Sequence, residues 1–378
     1  MKIGIVCYPT FGGSGVVATE LGMALAQKGH QVHFITYDRP VRLRGFSENV
    51  HYEPVRAEEY PLFDFVPYES ALVSKMVEVT QREKLDLLHV HYAIPHASAA
   101  YMAQQILKET CCNIPTVLTL HGTDITLVGR EAAYKPIVQF SINQSSAVTA
   151  VSQSLADDTY ANFEIDRDIQ VIPNFVELER FEKVREKGMK SKLFQDDEPV
   201  LIHVSNFRPV KRVMDVMEIF CKVRQQRPVK MVFVGDGPDR SQLLDIVREK
   251  NLMGSVIFLG KQEAIEYILP MGHVFVMPSE SESFGLAALE AMASGLPVIA
   301  TNTGGVPELV QQGECGFLSD VGDTDDMAAN TLKLLESPET YKRHRKNALK
   351  RAKTFSIENV VPLYENLYQS VIKTKTPA

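Results

Sequence analysis

The chain has 378 residues, 45% hydrophobic and 23% charged, with a formal net charge of −7. That length supports two domains with cores of their own. The acidic balance argues against a broad nucleic-acid footprint, which needs a basic stripe, and the longest apolar runs are strand-length, so no transmembrane helix is expected.

Met1–Cys7 reads as a first strand rather than a signal peptide, because it lacks a long apolar core and a small-residue cleavage site. Strand-like runs follow at Val32–Tyr37, Leu87–His91, Thr116–His121, Val148–Ser152 and Ile169–Ile172, and then at Val200–Val204, Met231–Val234, Val256–Leu259, Val274–Met277 and Val298–Thr301. Helical patterns alternate with them, which predicts parallel sheets built from βαβ units, one doubly wound α/β sheet per half. Between the halves, Glu177–Glu198 is rich in Lys, Glu and Asp. Its middle reads as exposed, with the boundary near Pro173-Asn174, giving domains at 1–172 and 173–356. Ile357–Ile372 places Val360, Val361, Leu363, Tyr364, Leu367, Tyr368 and Val371 on a broad apolar helical face expected to pack on a domain surface. Cys7, Cys111, Cys112, Cys221 and Cys315 form no C-x-x-C or zinc spacing and predict reduced thiols in a cytoplasm.

The loop Tyr8-Pro9-Thr10-Phe11-Gly12-Gly13-Ser14-Gly15 leaves the first strand and enters a helix at Val16–Gln27. Its glycines suit backbone close to an anionic ligand at a strand's carboxyl end; the plainer reading is a tight turn with helix–sheet packing. Gly13–Ala18 also matches G-x-G-x-x-A, and Asp38 ends the second strand, which together approach a dinucleotide fingerprint. Against that, five residues separate Cys7 from Gly13, whereas a true fingerprint turns straight off the strand.

His121 ends an apolar strand beside Gly122, where crevices form, and is suited to donating to a sugar hydroxyl; Asp124 could cap the next helix. His89 and His91 share one strand face, a zinc-like geometry with His96 nearby, but no Cys or Glu stands at a familiar metal spacing, so no metal is expected. Ser205–Arg212 follows a strand and carries Arg208, Lys211 and Arg212. Such cations suit a diphosphate, Arg through a fork and Lys as a point charge, while Arg212 reads as a basic surface turn. Gly235-Asp236-Gly237-Pro238 reads as a turn. Asp323-Thr324-Asp325-Asp326 has a D-x-D spacing but reads better as an exposed helix start.

The most informative stretch is Glu282-Ser283-Phe284-Gly285-Leu286-Ala287-Ala288-Leu289-Glu290, between an apolar strand and an Ala-rich helix. The first amides of a helix have no intrahelical partner and lie at its positive end, so they suit a diphosphate. Gly285 permits close backbone approach, and the two acids can accept sugar and ribose hydroxyls.

This E-x7-E pattern, with the Arg208/Lys211 loop and Thr303–Glu308, resembles retaining GT-B glycosyltransferases of family 4 along essentially the whole chain. The Arg208-to-Lys211 spacing is a little shorter than usual there. The resemblance implies two Rossmann-like domains with parallel sheets facing a deep interdomain cleft, and a C-terminal helix (357–378) crossing back to the first domain. It implies that Arg208, Lys211, Gly285 and the neighbouring Asn206, Ser283, Phe284 and Leu286 bind the donor diphosphate, that Gly260 and Lys261 lie beside the nucleobase, that Glu290 holds the ribose and Glu282 a donor-sugar hydroxyl, and that Gly13 and Gly15 also line the donor. His121 is implied near the sugar 6-position. It also implies that no protein carboxylate acts as a clear nucleophile and that the departing phosphate itself takes the acceptor proton. No cofactor or metal is expected.

Cys7–Gly22, His89–His96 and His121–Asp124 are similar, more narrowly, to the members of this family that move N-acetylglucosamine from UDP-N-acetylglucosamine to the hydroxyl of L-malate, at the first step of bacillithiol biosynthesis. Ser14, Tyr92 and Thr123 are then candidate acceptor contacts, with Arg39, Arg42, Arg44 and Arg130 as further partners for a dianion. Other acceptors (inositol phosphate, lipid or polysaccharide), a UDP-N-acetylglucosamine 2-epimerase, an NAD(P)-dependent oxidoreductase and a non-catalytic sugar-nucleotide sensor stay open, as does a homo-oligomer. Nucleic-acid binding and stable membrane insertion are not expected.

Overall fold

The computed structural model describes residues 1–374 apart from 11, 44–46, 57–66, 128, 130 and 187–197. The chain divides into two compact units, Met1–Asn174 with Ile357–Ala378, and Phe175–Ser356. The division falls between Asn174 and Phe175, two residues beyond the 172/173 bound read from the sequence.

In the first unit the order is β1 (Lys2–Val6), α1 (Gly13–Gln27), β2 (Gln31–Thr36), β3 (Val50–Pro54), α2 (Tyr68–Glu83), β4 (Leu87–His91), α3 (Ser98–Thr110), β5 (Thr116–Leu120), α4 (Lys135–Gln144), β6 (Ala147–Ala150), α5 (Gln153–Asn162) and β7 (Ile169–Val171). The second unit holds α6 (Leu178–Glu186), β8 (Val200–Val204), α7 (Val213–Gln226), β9 (Lys230–Val234), α8 (Arg240–Glu249), β10 (Val256–Phe258), β11 (Val274–Met277), α9 (Leu286–Ala293), β12 (Val298–Thr301), α10 (Val306–Leu309), β13 (Gly316–Ser319), α11 (Thr324–Leu334) and α12 (Pro338–Thr354). The last helix, α13 (Ile357–Thr374), belongs to the first unit.

Among the described residues the first sheet has seven strands in the order β3-β2-β1-β4-β5-β6-β7, and the second six in the order β10-β9-β8-β11-β12-β13. All pairings within them are parallel. Central strands such as β4, β5 and β9 are buried along their whole length, which explains their near-continuous apolar runs. In each sheet the winding direction reverses once, between β1 and β4 and between β8 and β11. A doubly wound sheet opens its crevice at that switch point, outside the strands' carboxyl ends.

Two strands and one helix differ from expectation. β3 and β13 are edge strands, each paired on one side only. β3 reads Val-His-Tyr-Glu-Pro and is half exposed, so no apolar run marks it. β13 starts at Gly316, where a Cβ would fall 2.0 Å from the Val298 carbonyl oxygen, so a glycine stands where a strand former is looked for. The first part of the charged segment at 177–198 forms α6 and buries Phe181 and Val184. The middle of that segment lies outside the described residues.

On α13 the buried positions are Val360, Val361, Tyr364 and Tyr368, whereas Leu363 is 37% exposed and faces solvent. The helix is anchored by Glu365, which takes Lys28 and His30 as partners, and by the Tyr368 hydroxyl, 2.7 Å from His89 Nδ1.

Candidate active site

The loops that leave β8 and β11 meet at the switch point of the second sheet. After β8 the chain runs through exposed Asn206 and Arg208 into a short 3-10 turn at Pro209–Lys211, and Arg212 then takes a left-handed φ of 47° before α7 begins. After β11, residues 278–285 lead to α9, with Gly285 at its N-cap at φ +93°. Lys211 Nζ donates to Glu282 Oε1 at 2.5 Å, which ties the two loops together. Ser279 Oγ donates to the same oxygen at 3.1 Å, and Glu280 N–H donates to the Val210 carbonyl. Glu282 Oε2 makes no hydrogen bond among the described residues, so a ligand hydroxyl has an acceptor there.

The backbone of Glu282 is held as firmly as its carboxylate. Gly305 N–H donates to the Glu282 carbonyl at 2.9 Å, and a Cβ on Gly304 (φ +55°) would lie 2.0 Å from that oxygen. The Thr303–Glu308 segment is thus a clamp on the loop carrying Glu282. Below the site His203 is pushed down to about 4, first by burial and then by the Lys211 cation. Its Nδ1 donates to the Val276 carbonyl, so its Nε2 accepts from Ser205 Oγ.

Sequence reasoning brought Lys211, Glu282, Ser283, Gly285 and Leu286 to this point. Arg208 is exposed beside it and makes no ion pair among the described residues. Phe284 is buried edge-on against Phe355 at 5.6 Å, so its side chain serves packing. Glu290 is buried within α9. Gly260 (φ +66°) accepts from Gly235 N–H through its carbonyl, and Lys261 is exposed beside it. Ser279, which orients Glu282, was missed; an isolated serine in a Ser/Glu loop carries no distinguishing pattern.

At the first sheet's switch point, Ser14 Oγ lies 2.8 Å from Tyr92 OH, joining the loop after β1 to the loop after β4. Tyr92 adopts φ +85° and its ring lies 5.5 Å from that of His121. His91 Nδ1 lies 2.8 Å from His121 Nε2, with the rings stacked at 5.1 Å. Burial pushes His121 down to about 3, with the nearby His96 adding to the effect. Thr123 is exposed on the following turn and Gly13 at the start of α1. Gly15 answers to packing, since a Cβ there would fall 2.5 Å from the Tyr8 carbonyl oxygen.

Asp124 does not cap a helix. It is buried, accepts from Ala93 N–H at 2.7 Å and Gly122 N–H at 3.3 Å, and burial raises it to about 6. Asp323 does cap α11, accepting from Asp326 N–H. On β4 His89 is bonded at both ring nitrogens, between Thr119 and Tyr368, and no cluster of metal ligands occurs among the described residues. Arg42 is paired with Glu20 at 2.8 Å, Arg39 reaches the Leu43 carbonyl, and Phe11, Arg44 and Arg130 lie outside the described residues.

Residues 11–180 match the model of glycosyltransferase family 4, and residues 184–351 that of group 1 glycosyl transferases. The chain is 44% identical over 375 residues to N-acetyl-alpha-D-glucosaminyl L-malate synthase of Bacillus anthracis, covering 99% of this chain and 98% of that one. The chain belongs to glycosyltransferase family 4. A more distant relative of this transferase, 27% identical across 90% of the chain and 79% of its own length, is alpha-monoglucosyldiacylglycerol synthase of Streptococcus pneumoniae. The fold is shared with sucrose-phosphate synthase of Thermosynechococcus elongatus (TM-score 0.81, 20% identity, 99% of this chain and all of that one) and with Anabaena HepE in complex with UDP and glucose (0.76, 21%, 98% and 99%). These are GT-B glycosyltransferases, so the fold class is GT-B. The dinucleotide reading of Gly13–Ala18 and the epimerase reading give way to hexosyl transfer, and no helix among the described residues is long and apolar enough to cross a membrane.

Proposed function

We propose that this glycosyltransferase moves N-acetylglucosamine from UDP-N-acetylglucosamine to the hydroxyl of L-malate, with retention at the anomeric carbon and in the cytoplasm. The observation that carries the acceptor is the 44% identity, end to end, with the L-malate synthase of B. anthracis. The lipid-glycosylating relative stands at 27%.

In this reading the second unit holds the donor. Charge that develops on departing UDP meets Arg208, Lys211 and the first amides of α9, the electrostatic term that usually dominates such catalysis. Glu282 offers Oε2 to a sugar hydroxyl while its other oxygen keeps Lys211 in place, and Glu290 serves the ribose. The first unit presents His121 and the Ser14–Tyr92 hydroxyl pair, with Thr123 beside them, as donors for sugar and malate oxygens. The departing phosphate takes the acceptor proton during same-face attack. The cations supply the charge, so the reaction needs no metal and no cofactor.

The test follows UDP release and product mass for the purified chain with UDP-N-acetylglucosamine, with and without L-malate, in EDTA. Malate-dependent UDP release with a glycosylated malate is expected. Release that ignores malate discards the acceptor, and loss of activity in EDTA discards metal independence.

A further inference from the structure

We infer that His91 is a positioning residue that fixes the tautomer of His121, so that His121 presents Nδ1–H as a donor to its ligand. The inference rests on the reading of His121 as a ligand contact, but its first measurement needs no ligand.

One proton lies between His91 Nδ1 and His121 Nε2, which are 2.8 Å apart. Either ring can supply it. If His121 Nε2 donates, neutral His91 must carry its own proton on Nε2, which is buried and has no partner among the described residues. If His91 Nδ1 donates, only a lone pair is left bare at Nε2. A buried orphan N–H is rarer than an under-satisfied acceptor, so the second arrangement is favoured.

Other histidines of this chain show the same economy. His96 Nδ1 faces the His91 carbonyl, His344 Nδ1 faces the Thr340 carbonyl and His33 Nδ1 faces the Glu53 carboxylate. These partners only accept, so each Nδ1 donates. In all three the buried Nε2, without a partner among the described residues, is a lone pair in the neutral ring. His91 on β4 fits this pattern, and its backbone carbonyl is itself held by His96.

The consequence falls on His121. With Nε2 accepting from His91, neutral His121 carries its proton on Nδ1. That nitrogen makes no hydrogen bond among the described residues, and the residue is only half-buried. Its N–H is therefore offered to an acceptor oxygen such as a sugar hydroxyl. Second partners of this kind commonly decide which imidazole nitrogen is protonated.

The test uses the full chain labelled with 15N-histidine and a two-bond proton–nitrogen correlation, with the His121 signals assigned by their loss in His121→Gln. The wild type should show His121 protonated at Nδ1 and bare at Nε2. His91→Asn, whose amide can place an N–H near the Nδ1 position, should keep that pattern. His91→Leu should lose it and lower kcat/KM for the sugar nucleotide ~tenfold, with His91→Asn recovering most of the loss. Wild-type His121 protonated at Nε2 would overturn the inference, as would an unchanged His121 tautomer in folded His91→Leu. Should His91→Leu not fold, the wild-type and His91→Asn spectra still decide. Because the tautomer is read without substrate, failure of the malate assignment leaves a separate signature.

Discussion

Lys211 and Glu282 form an ion pair across the switch point of the six-stranded sheet, with side-chain exposures of 21% and 15%. Each was expected to touch the donor separately, the cation at the diphosphate and the acid at the sugar. The geometry couples them, because one carboxylate oxygen positions the ammonium while Ser279 orients the carboxylate. A pre-placed cation needs no reorganisation as charge develops on the leaving group.

That coupling predicts non-additive kinetics. Lys211→Ala and Glu282→Ala should each lower kcat by ~10²-fold or more. The double variant should be little worse than the more severe single one, giving a coupling of about 2–3 kcal/mol in a double-mutant cycle. Strictly additive losses would show that the two side chains act independently.

Arg208 and Arg212 should behave differently although they stand four positions apart. Arg212 is occupied by Asp215 at 2.7 Å, whereas Arg208 is exposed and makes no ion pair among the described residues. Arg208→Ala should reduce kcat by ~10²-fold, with Arg208→Lys restoring part of it. Arg212→Ala should stay within ~threefold of wild type, consistent with a surface ion pair of small energy. Steady-state rates of UDP release check both, and wild-type turnover in Arg208→Ala would remove it from the leaving-group role.

Much of this was legible in the chain itself. Apolar runs marked the central strands because both their faces are buried, and the E-x7-E stretch marked the loop between β11 and α9 because strand, turn and helix start follow one another locally. What escaped depends on long-range neighbours. β3 is a half-exposed edge strand without an apolar run, whereas β13 is buried but short and opens on Gly316, which does not read as a strand former. Ser279 gains meaning only from the nearby Glu282 carboxylate, and His91 only from His121, 30 positions away. Asp124 looked like a helix cap because Asp is common there, while its partner Ala93 is supplied by a different strand's loop.

Two glycines in the loops around Glu282 separate backbone strain from collision. Gly285 has φ +93°, but a Cβ there comes tighter than ordinary contact only to the flexible end of Met277, at 3.3 Å, with Leu309 Cδ2 and Ala288 Cβ at 3.7 and 3.8 Å. Gly285→Ala should therefore cost about 1–2 kcal/mol, the left-handed penalty alone. At Gly304 the Cβ would lie 2.0 Å from the Glu282 carbonyl oxygen, on top of a positive φ. Gly304→Ala should cost about 3 kcal/mol or more and also reduce kcat, since it displaces Glu282. Urea unfolding of both variants measures the difference; equal losses would mean that the clamp yields freely.

Acid should destabilise the fold well above the pH at which carboxylates titrate. Burial pushes His89 down to about 3, and His96 and His203 down to about 4. An unfolded histidine titrates near 6.5, so between about pH 6.5 and 4 the unfolded chain binds more protons and stability falls as pH falls. At pH 5 each of these three contributes a loss of about 2 kcal/mol relative to neutral pH. Asp124 acts in the opposite sense. Its carboxyl is raised to about 6 by burial, so the folded state gains a proton first and stability rises as pH falls through 6. That offset is about 1 kcal/mol between pH 7 and 5, too small to reverse the histidines. Urea unfolding at pH 7.5 and pH 5 should show a net loss of several kcal/mol. His203→Gln, removing one buried imidazole from the second unit, should shrink the pH-dependent part of that loss by about 2 kcal/mol. A pH-independent midpoint would mean that these imidazoles titrate in the folded chain as they do in the unfolded one.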